Sequence, residues 1–205
     1  MRLVPVPGVF RPISDSWLLA RVVREEVRPG AKVLDVCTGS GVVGVTAAQA
    51  GAEVTAIDVS CRAVAAAWLN ARINRVRVRP RRGSLLEPVA GEQFDVIASN
   101  PPYVPSDTAR PRGLERAWAA GADGRALLDR LLAAAPERLR PGGALLVVHS
   151  DLIGAQQTLE RLAAAGLEAD VAARERGPLG PLMRERVPAA VEEEEVLVLR
   201  GRRPD

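Results

Sequence analysis

Short apolar runs alternate along the chain with segments in which apolar residues recur at the spacing of a helix face. The runs predict strands at residues 32–37, 53–58, 76–79, 94–99 and 144–149, and two more at residues 171–174 and 195–200. The helical spacing predicts helices at residues 17–23, 42–50, 61–73, 125–139 and 153–165. Ser14 or Asp15 is expected to cap the first helix, and alanines together with Trp68 and Leu69 are expected on the inner side of the third.

Strands that alternate with helices predict a parallel sheet covered by helices on both faces. The last two strands, connected through a loop at residues 177–181, predict a terminal antiparallel hairpin. The expected fold class is therefore α/β, with a doubly wound, mostly parallel seven-stranded sheet. Because no linker-like break divides the chain, residues 1–205 are expected to form a single domain, with a core at residues 30–205 and an N-terminal segment at residues 1–29 that contributes to the binding site.

Composition narrows the class of protein without naming a partner. The 205 residues carry a net charge of +3, which does not by itself indicate a nucleic acid or a membrane surface. The chain has no run of the about 18 apolar residues that a membrane span needs, and its start lacks the apolar part of a signal peptide. We therefore expect a cytoplasmic protein with no membrane partner. Cys37, Cys61 and the single His149 are too few for a zinc site or a disulfide framework, so no metal is expected.

A glycine-containing turn, Asp35-Val36-Cys37-Thr38-Gly39-Ser40-Gly41, follows the first predicted strand. Glycines let a ligand approach the backbone, and the next helix offers unpaired N–H groups. Asp58 ends the following strand, about 17 to 20 residues further on, where a carboxylate can accept two hydrogen bonds from a ribose diol. Taken singly, the two motifs also fit a tight turn and a surface acid. Together they favour a nucleotide-type site.

The tetrapeptide Asn100-Pro101-Pro102-Tyr103 directly follows the strand at residues 94–99, at the edge of the sheet where ligands bind. Pro101 keeps Asn100 out of the helical region, and neither proline offers an N–H. The Asn100 side-chain oxygen and the Pro101 carbonyl can therefore accept hydrogen bonds from a planar amino group, while the Tyr103 ring offers a face for a flat substrate. The alternative is a rigid proline turn after a buried strand.

With these motifs the chain resembles the class I S-adenosylmethionine-dependent methyltransferases, which have a Rossmann-like fold. Within them it is similar to the HemK-related protein glutamine-N5 methyltransferases, of the short type without an N-terminal helical domain. Residues 100–103 match Asn-Pro-Pro-Tyr, residues 11–19 are similar to that type's Pro-x-Glu-Asp-Thr-x-Leu-Leu opening, and residues 121–125 resemble its Gly-x-Asp-Gly-Arg segment. The opening departs from the family at Ser14, which replaces an acid, and at Ser16, which keeps a hydroxyl group.

The resemblance implies S-adenosylmethionine as the cofactor and a glutamine side-chain amide, such as that of a translation release factor, as the methyl acceptor. The catalytic residues it implies are Asn100, Pro101, Pro102 and Tyr103. The cofactor-binding residues are Ser16, Asp35, Cys37, Thr38, Gly39, Gly41, Asp58, Val59, Ser84, Leu85 and Asn100. Ser84 stands where many relatives have an aspartate that contacts adenine, and Leu85 is expected to pack on the adenine ring. Cys37 is interpreted as a small packing residue. An activating partner subunit is left open.

The main alternative is an adenine-N6 or guanine-N2 methyltransferase acting on RNA or DNA, since an exocyclic amine is also planar and weakly nucleophilic. The arginines of residues 72–82 lack interleaved aromatic residues, so they favour a solvated outer strand over a phosphate-binding face. A lysine or small-molecule amine is a third acceptor class, and a non-catalytic binding module a further alternative. Residues 192–195 are interpreted as the solvated start of a strand and His149 as a structural histidine. The long segment at residues 104–125 is predicted to shape a surface for a macromolecule.

Overall fold

The computed structural model describes residues 1–109 and 111–205. The strands are β1 (Lys32–Val36), β2 (Glu53–Asp58), β3 (Val78–Arg82), β4 (Phe94–Ser99), β5 (Leu139–Ser150), β6 (Glu168–Pro178) and β7 (Glu193–Arg202). The helices are α1 (Ser14–Glu26), α2 (Val42–Gln49), α3 (Cys61–Ile73), α4 (Ala126–Ala134), α5 (Ala155–Ala164) and α6 (Pro181–Arg184).

The strands form one sheet in the order β3-β2-β1-β4-β5-β7-β6. Strands β1 to β5 run parallel, whereas β7 lies antiparallel between β5 and β6. The predicted α/β class and the mostly parallel seven-stranded sheet with a terminal hairpin are confirmed. The chain reverses its direction of winding between β1 and β4, so the carboxyl ends of these two strands border a crevice of the kind that binds ligands in such folds.

Alternate residues of the central strands enter two separate apolar layers. In β4, Val96 and Ala98 belong to the cluster that includes residues of α1 and α2, whereas Ile97 belongs to the cluster that includes Leu128 and Leu131 of α4. Both faces of the sheet are therefore buried. This is why the central strands appear in the sequence as continuous apolar runs and not as an alternating pattern.

The expected cap of α1 is wrong. The helix begins at Ser14 with Ile13 at the N-cap position, and no side chain of the described residues caps it. Asp15 is unavailable as a cap because its carboxylate accepts hydrogen bonds from the hydroxyl groups of Ser16 and Tyr103.

The expected inward orientation of Trp68 on α3 is also wrong, because its side chain is 50% exposed and lies under the Arg72 guanidinium. The buried side of α3 is built from four alanines and Asn70, and Ala67 is fully buried. Small residues are required there because α2 starts very close to α3. A Cβ atom on Gly41, whose φ is +83°, would lie 2.8 Å from the Ala67 Cα atom.

Several boundaries differ from the expected ones. The outer strand β3 begins at Val78, not at residue 76. The helix predicted at residues 125–139 ends at Ala134, because Pro136 has no N–H to continue it, and Leu139 already begins β5. Strand β6 continues to Pro178, through part of the predicted loop, because β7 extends far enough to pair Glu193 with it. A proline is tolerated there because β6 is an edge strand.

None of the helices formed by residues 1–109 and 111–205 is both long and apolar enough to cross a membrane.

Candidate functional site

A cavity of about 810 Å³ lies at the carboxyl ends of the central strands. It is lined by nearly all the residues that the sequence singled out, namely Ser16, Asp35, Cys37, Thr38, Gly39, Asp58, Val59, Ser84, Leu85, Asn100, Pro101, Pro102 and Tyr103. Gly41 is outside this lining, since its place is the close contact between α2 and α3. The structure thus gathers motifs that are up to 87 residues apart in sequence, from Ser16 to Tyr103, around one space.

The Asp35 carboxylate holds the glycine turn in place through hydrogen bonds. Its Oδ2 atom accepts hydrogen bonds from the Thr38 hydroxyl at 2.6 Å and from the Gly44 N–H at 2.9 Å. Burial raises the pKa of this carboxyl to about 7, because its charged form is deprived of water, and the two hydrogen bonds only partly oppose that rise. Asp35 therefore ties the end of β1 to the first turns of α2 and sets the shape of the turn.

Asp58 faces the same turn from the end of β2. Its Oδ2 atom accepts the Gly39 N–H at 3.0 Å, and its Oδ1 atom accepts the Ser60 N–H at 2.9 Å. Burial raises its pKa, while these main-chain hydrogen bonds act in the opposite direction. A carboxylate has about four acceptor positions. Two main-chain donors thus hold Asp58 in place and leave it able to accept hydrogen bonds from a ligand.

Two residues of the cavity wall have unusual backbone conformations. Cys37 has a φ of +59° and Leu85 has a φ of +47°. Both values lie in the left-handed region, which residues other than glycine rarely adopt. Burial raises the pKa of the Cys37 thiol to about 12, so it stays protonated, in keeping with a packing role. Backbone strain of this kind is concentrated at ligand sites in proteins.

The Asn100 side chain is oriented by α1. Its Nδ2 group donates to the Ser16 hydroxyl oxygen at 3.0 Å, and the Ser16 hydroxyl in turn donates to Asp15 Oδ1 at 3.2 Å. Because the single hydroxyl hydrogen of Ser16 is given to a carboxylate, its oxygen can only accept in the hydrogen bond with Asn100. This chain of donors leaves Asn100 Oδ1 as the atom that can accept a hydrogen bond from a substrate.

Tyr103 is held by the same carboxylate. Its hydroxyl donates to Asp15 Oδ2 at 2.9 Å, and burial together with the Asp15 charge raises the pKa of Tyr103 well above its usual range. Tyr103 is therefore a neutral hydrogen-bond donor with a fixed ring. Its carbonyl oxygen also lies so close to Gly124, where φ is +74°, that a Cβ atom there would be 2.3 Å from it. The segment at residues 121–125 thus packs directly against the tetrapeptide at residues 100–103.

Sequence reasoning missed two acidic residues of the cavity wall. The sequence pattern predicts Asp15, or its neighbour Ser14, as a helix cap, although the position of Asp15 beside Ser16 in the opening motif is a usable signal. The interpretation of residues 192–195 as solvated is wrong for Glu194, because only 8% of this residue is exposed and it lines the cavity. Leu182 and Met183 of α6 also line this cavity. No local pattern in the sequence predicts that contact.

Of the residues discounted as catalytic, His149 lies outside the cavity lining. His149 is fully buried, and its ring nitrogens contact the Ser150 carbonyl at 2.8 Å and the Thr158 hydroxyl at 3.0 Å. Burial lowers its pKa to about 4, so it is neutral and structural. Of the arginines at residues 72–82, Arg79 and Arg81 lie on the outer strand β3, whereas Arg82, the last residue of β3, lines the cavity. Within residues 1–109 and 111–205 there is no cluster of His, Cys, Asp or Glu that could hold a metal ion.

Comparison with known proteins shows which proteins and which family this chain is similar to. A putative protein N5-glutamine methyltransferase of Methanocaldococcus jannaschii is 33% identical over 180 residues, which are 86% of this chain and 90% of that protein. The release factor glutamine methyltransferase of Geobacter sulfurreducens is 35% identical over 153 residues, which are 70% of this chain but 54% of that longer protein.

Among solved structures, the E. cuniculi Mtq2–Trm112 complex, responsible for the methylation of the eRF1 translation termination factor, superimposes with a TM-score of 0.70. It covers 96% of this chain and 99% of that chain, and its 22% identity supports the fold alone. The methyltransferase small domain matches residues 3–171. With this match and the archaeal relative together, the chain belongs to the methyltransferase small domain family.

Proposed function

We propose that this protein transfers a methyl group from S-adenosylmethionine to the side-chain amide nitrogen of a glutamine in a translation release factor. The observation that carries the proposal is the orientation of Asn100, whose Nδ2 is committed to Ser16 at 3.0 Å, so that Oδ1 is presented to an incoming amino group. The two relatives carry the names of glutamine methyltransferases, and these names support the same acceptor.

The residues of the glycine turn fit S-adenosylmethionine. A cavity of about 810 Å³ lies within the usual size of small-molecule sites, which is roughly 300–1,000 Å³. A Cβ atom on Gly39 would meet nothing nearer than the Cys37 carbonyl at 4.0 Å, so space at the turn is open. In this site Asp58 would hold the ribose diol, and Ser84 and Leu85 would lie against the adenine. When bound, the cofactor supplies an electrophilic methyl group on a sulfonium.

The chain's own contribution to the reaction is alignment and stabilisation of charge. An amide nitrogen is a poor nucleophile because its lone pair is conjugated with the carbonyl group. Asn100 Oδ1 and the Pro101 carbonyl can accept its two N–H groups and hold the nitrogen in line with the methyl group. These acceptors become better partners as the nitrogen gains positive charge, which lowers the barrier. Tyr103 stays a neutral wall of the site because its pKa is raised.

The wall around the acceptor side suits a protein substrate. The Val104 N–H donates to the Trp118 carbonyl at 2.8 Å, which brings the segment at residues 113–118 to the cavity. Leu114 lines the cavity while 51% of its side chain is exposed, so an apolar group lies at the rim. An exposed apolar rim supports contact with a macromolecule more than a closed pocket for a small amine.

The test is methylation of intact release factor by the purified enzyme with methyl-labelled S-adenosylmethionine, followed by mass spectrometry of the factor's peptides. Because the E. cuniculi neighbour is assembled with Trm112, the assay is run with and without cell extract as a source of a helper protein. We expect the label on a glutamine. Unmethylated release factor in both assays, combined with methylation of an adenine-containing RNA, would replace this function by the nucleic-acid alternative.

Asn100 provides the matched control. Asn100→Ala should keep cofactor affinity close to wild type while methyl transfer falls by about two orders of magnitude, as the loss of a positioned polar group commonly causes. Asn100→Asp still offers an acceptor, so its activity should exceed that of Asn100→Ala. An alanine variant that methylates as fast as wild type would remove Asn100 from the chemistry.

A further inference from the structure

Glu194 has an unusual environment for a carboxylate. Its Oε1 atom accepts the Gly180 N–H at 2.9 Å, but its Oε2 atom is buried and has no hydrogen-bond partner among the described residues. Burying an acceptor without a partner is costly, and proteins generally avoid it outside functional sites. The fold thus keeps a buried acceptor that the residues described by the structure do not satisfy.

The position of Glu194 in β7 directs its side chain inward. The neighbouring Glu193 and Glu195 pair with Arg176 and Arg174 of β6, at 2.8 Å and 3.5 Å. Because successive side chains of a strand point to opposite faces, Glu194 faces the other way, toward Gly180. Glu194 also lines the same cavity as Tyr103 of the tetrapeptide.

Glu194 lines the cavity together with Tyr103 and with Leu182 and Met183 of α6, the helix that follows Gly180. Because Asp58 and the glycine turn are proposed to hold the cofactor, this part of the wall is left for the acceptor. A glutamine side chain is only about 5 Å long from Cα to the amide nitrogen. An acceptor glutamine at Asn100 therefore brings its own main chain, with its N–H donors, into this part of the cavity.

We propose that Glu194 Oε2 accepts a main-chain N–H of the substrate segment that carries the acceptor glutamine, and so determines which segments can enter. This role rests on the proposed function. A main-chain donor is favoured because every inserted peptide segment carries N–H groups that need a partner once buried. The same contact supplies the partner that Oε2 lacks among residues 1–109 and 111–205. Glu194 is thus a positioning residue for the substrate and has no contact with the methyl group.

Glu194→Gln tests this with little disturbance, because the glutamine keeps an oxygen for the Gly180 N–H and replaces Oε2 by a donor. We expect the KM for release factor to rise about 10-fold to 100-fold, the value of a hydrogen bond to a charged group. The kcat and the cofactor affinity should stay within about twofold of wild type. The melting temperature should stay close to that of wild type, because the glutamine keeps the acceptor for the Gly180 N–H and only one buried polar atom is exchanged for another. The control is Glu193→Gln on the opposite, exposed side of β7, which should leave the KM unchanged.

The outcomes separate this proposal from the function on which it rests. A wild-type enzyme that does not methylate release factor refutes the function, and the role of Glu194 with it. A wild-type enzyme that is active, together with a Glu194→Gln variant of unchanged KM, refutes the role of Glu194 alone. A variant with a lower melting temperature and an unchanged KM shows that Glu194 is a structural residue and also refutes the proposal.

A second measurement identifies the donor. Short peptides around the acceptor glutamine are made with one main-chain amide at a time replaced by an ester, which removes a single N–H. One ester position should raise the KM of the wild-type enzyme but not that of Glu194→Gln, because the partner of the missing N–H is already lost in the variant. If every ester affects both enzymes equally, the main-chain assignment is wrong.

Discussion

Removal of the Ser16 hydroxyl tests the chain of donors that orients Asn100. In Ser16→Ala the Asn100 Nδ2 group loses its acceptor at 3.0 Å, and Asp15 loses the hydroxyl at 3.2 Å. The Asn100 amide is then free to rotate and to present either its oxygen or its nitrogen to the substrate. A nitrogen in that place would repel the amino group of the acceptor.

The size of the effect follows from the hydrogen bond that is lost. A neutral hydrogen bond contributes about 0.5–1.5 kcal/mol, so methyl transfer should slow by about 2-fold to 10-fold if that energy is used to orient Asn100. This is less than the effect expected for Asn100→Ala, because the acceptor oxygen is still present part of the time. Ser16 is 6% exposed, and the change removes only one oxygen atom, so the fold should be preserved.

The assay is single-turnover methyl transfer to release factor, with cofactor affinity measured by calorimetry on the same preparations. Ser16→Thr is the matched control, since it keeps the hydroxyl group and should retain the wild-type rate. A Ser16→Ala variant with the wild-type rate would refute the orientation of Asn100 through Ser16. A variant with weaker cofactor binding and a normal rate constant at saturation would instead place Ser16 against the cofactor.

Two further predictions concern the carboxylates of the glycine turn. Asp58→Ala should weaken S-adenosylmethionine binding about 10-fold or more, because a hydrogen bond to a charged group is worth about 1.5–3 kcal/mol. Calorimetry measures the affinity, and the melting temperature is the control for the lost hydrogen bonds from Gly39 and Ser60. An unchanged affinity would exclude Asp58 from the site. Asp35 has a pKa of about 7 in the folded chain against a usual value of 3.8. Between these values the folded state keeps a proton that the unfolded state has lost, so Asp35 makes stability fall as pH rises from about 4 to 7, by about 4 kcal/mol in total. Asp35→Asn should remove that part of the slope in urea unfolding measured from pH 4 to 8, and an identical slope in both proteins would contradict the raised pKa.

The sequence predicted the features that depend on local pattern. Strands such as β1 and β4 are buried on both faces, so they appear as apolar runs whatever their neighbours are. The tetrapeptide at residues 100–103 and the acid at Asp58 each end such a strand, and parallel strands bring their carboxyl ends to one edge of the sheet. For this reason residues from three separate strands could be assigned to one site before their distances were known.

Contacts between distant segments could not be read in the same way. Tyr103 and Asp15 are 88 residues apart and meet only because α1 packs beside the end of β4. Trp68 resembles a core residue by its chemistry, but the close approach of Gly41 to Ala67 leaves no room for a large side chain at that point of α3. Glu194 lies within a run of four acids, and no property of the run shows which one faces the cavity.

The two edges of the sheet have a consequence for the behaviour of the protein in concentrated solution. An open sheet exposes unpaired main-chain groups on its outer strands, and these can pair with another molecule and start aggregation. Here β3 carries Arg79 and Arg81 on either side of Pro80, and β6 carries Arg174 and Arg176 before Pro178. Charged side chains and prolines both oppose such pairing. With a net charge of only +3, the molecule has little overall repulsion to keep copies apart, so its resistance to aggregation depends on these edge residues.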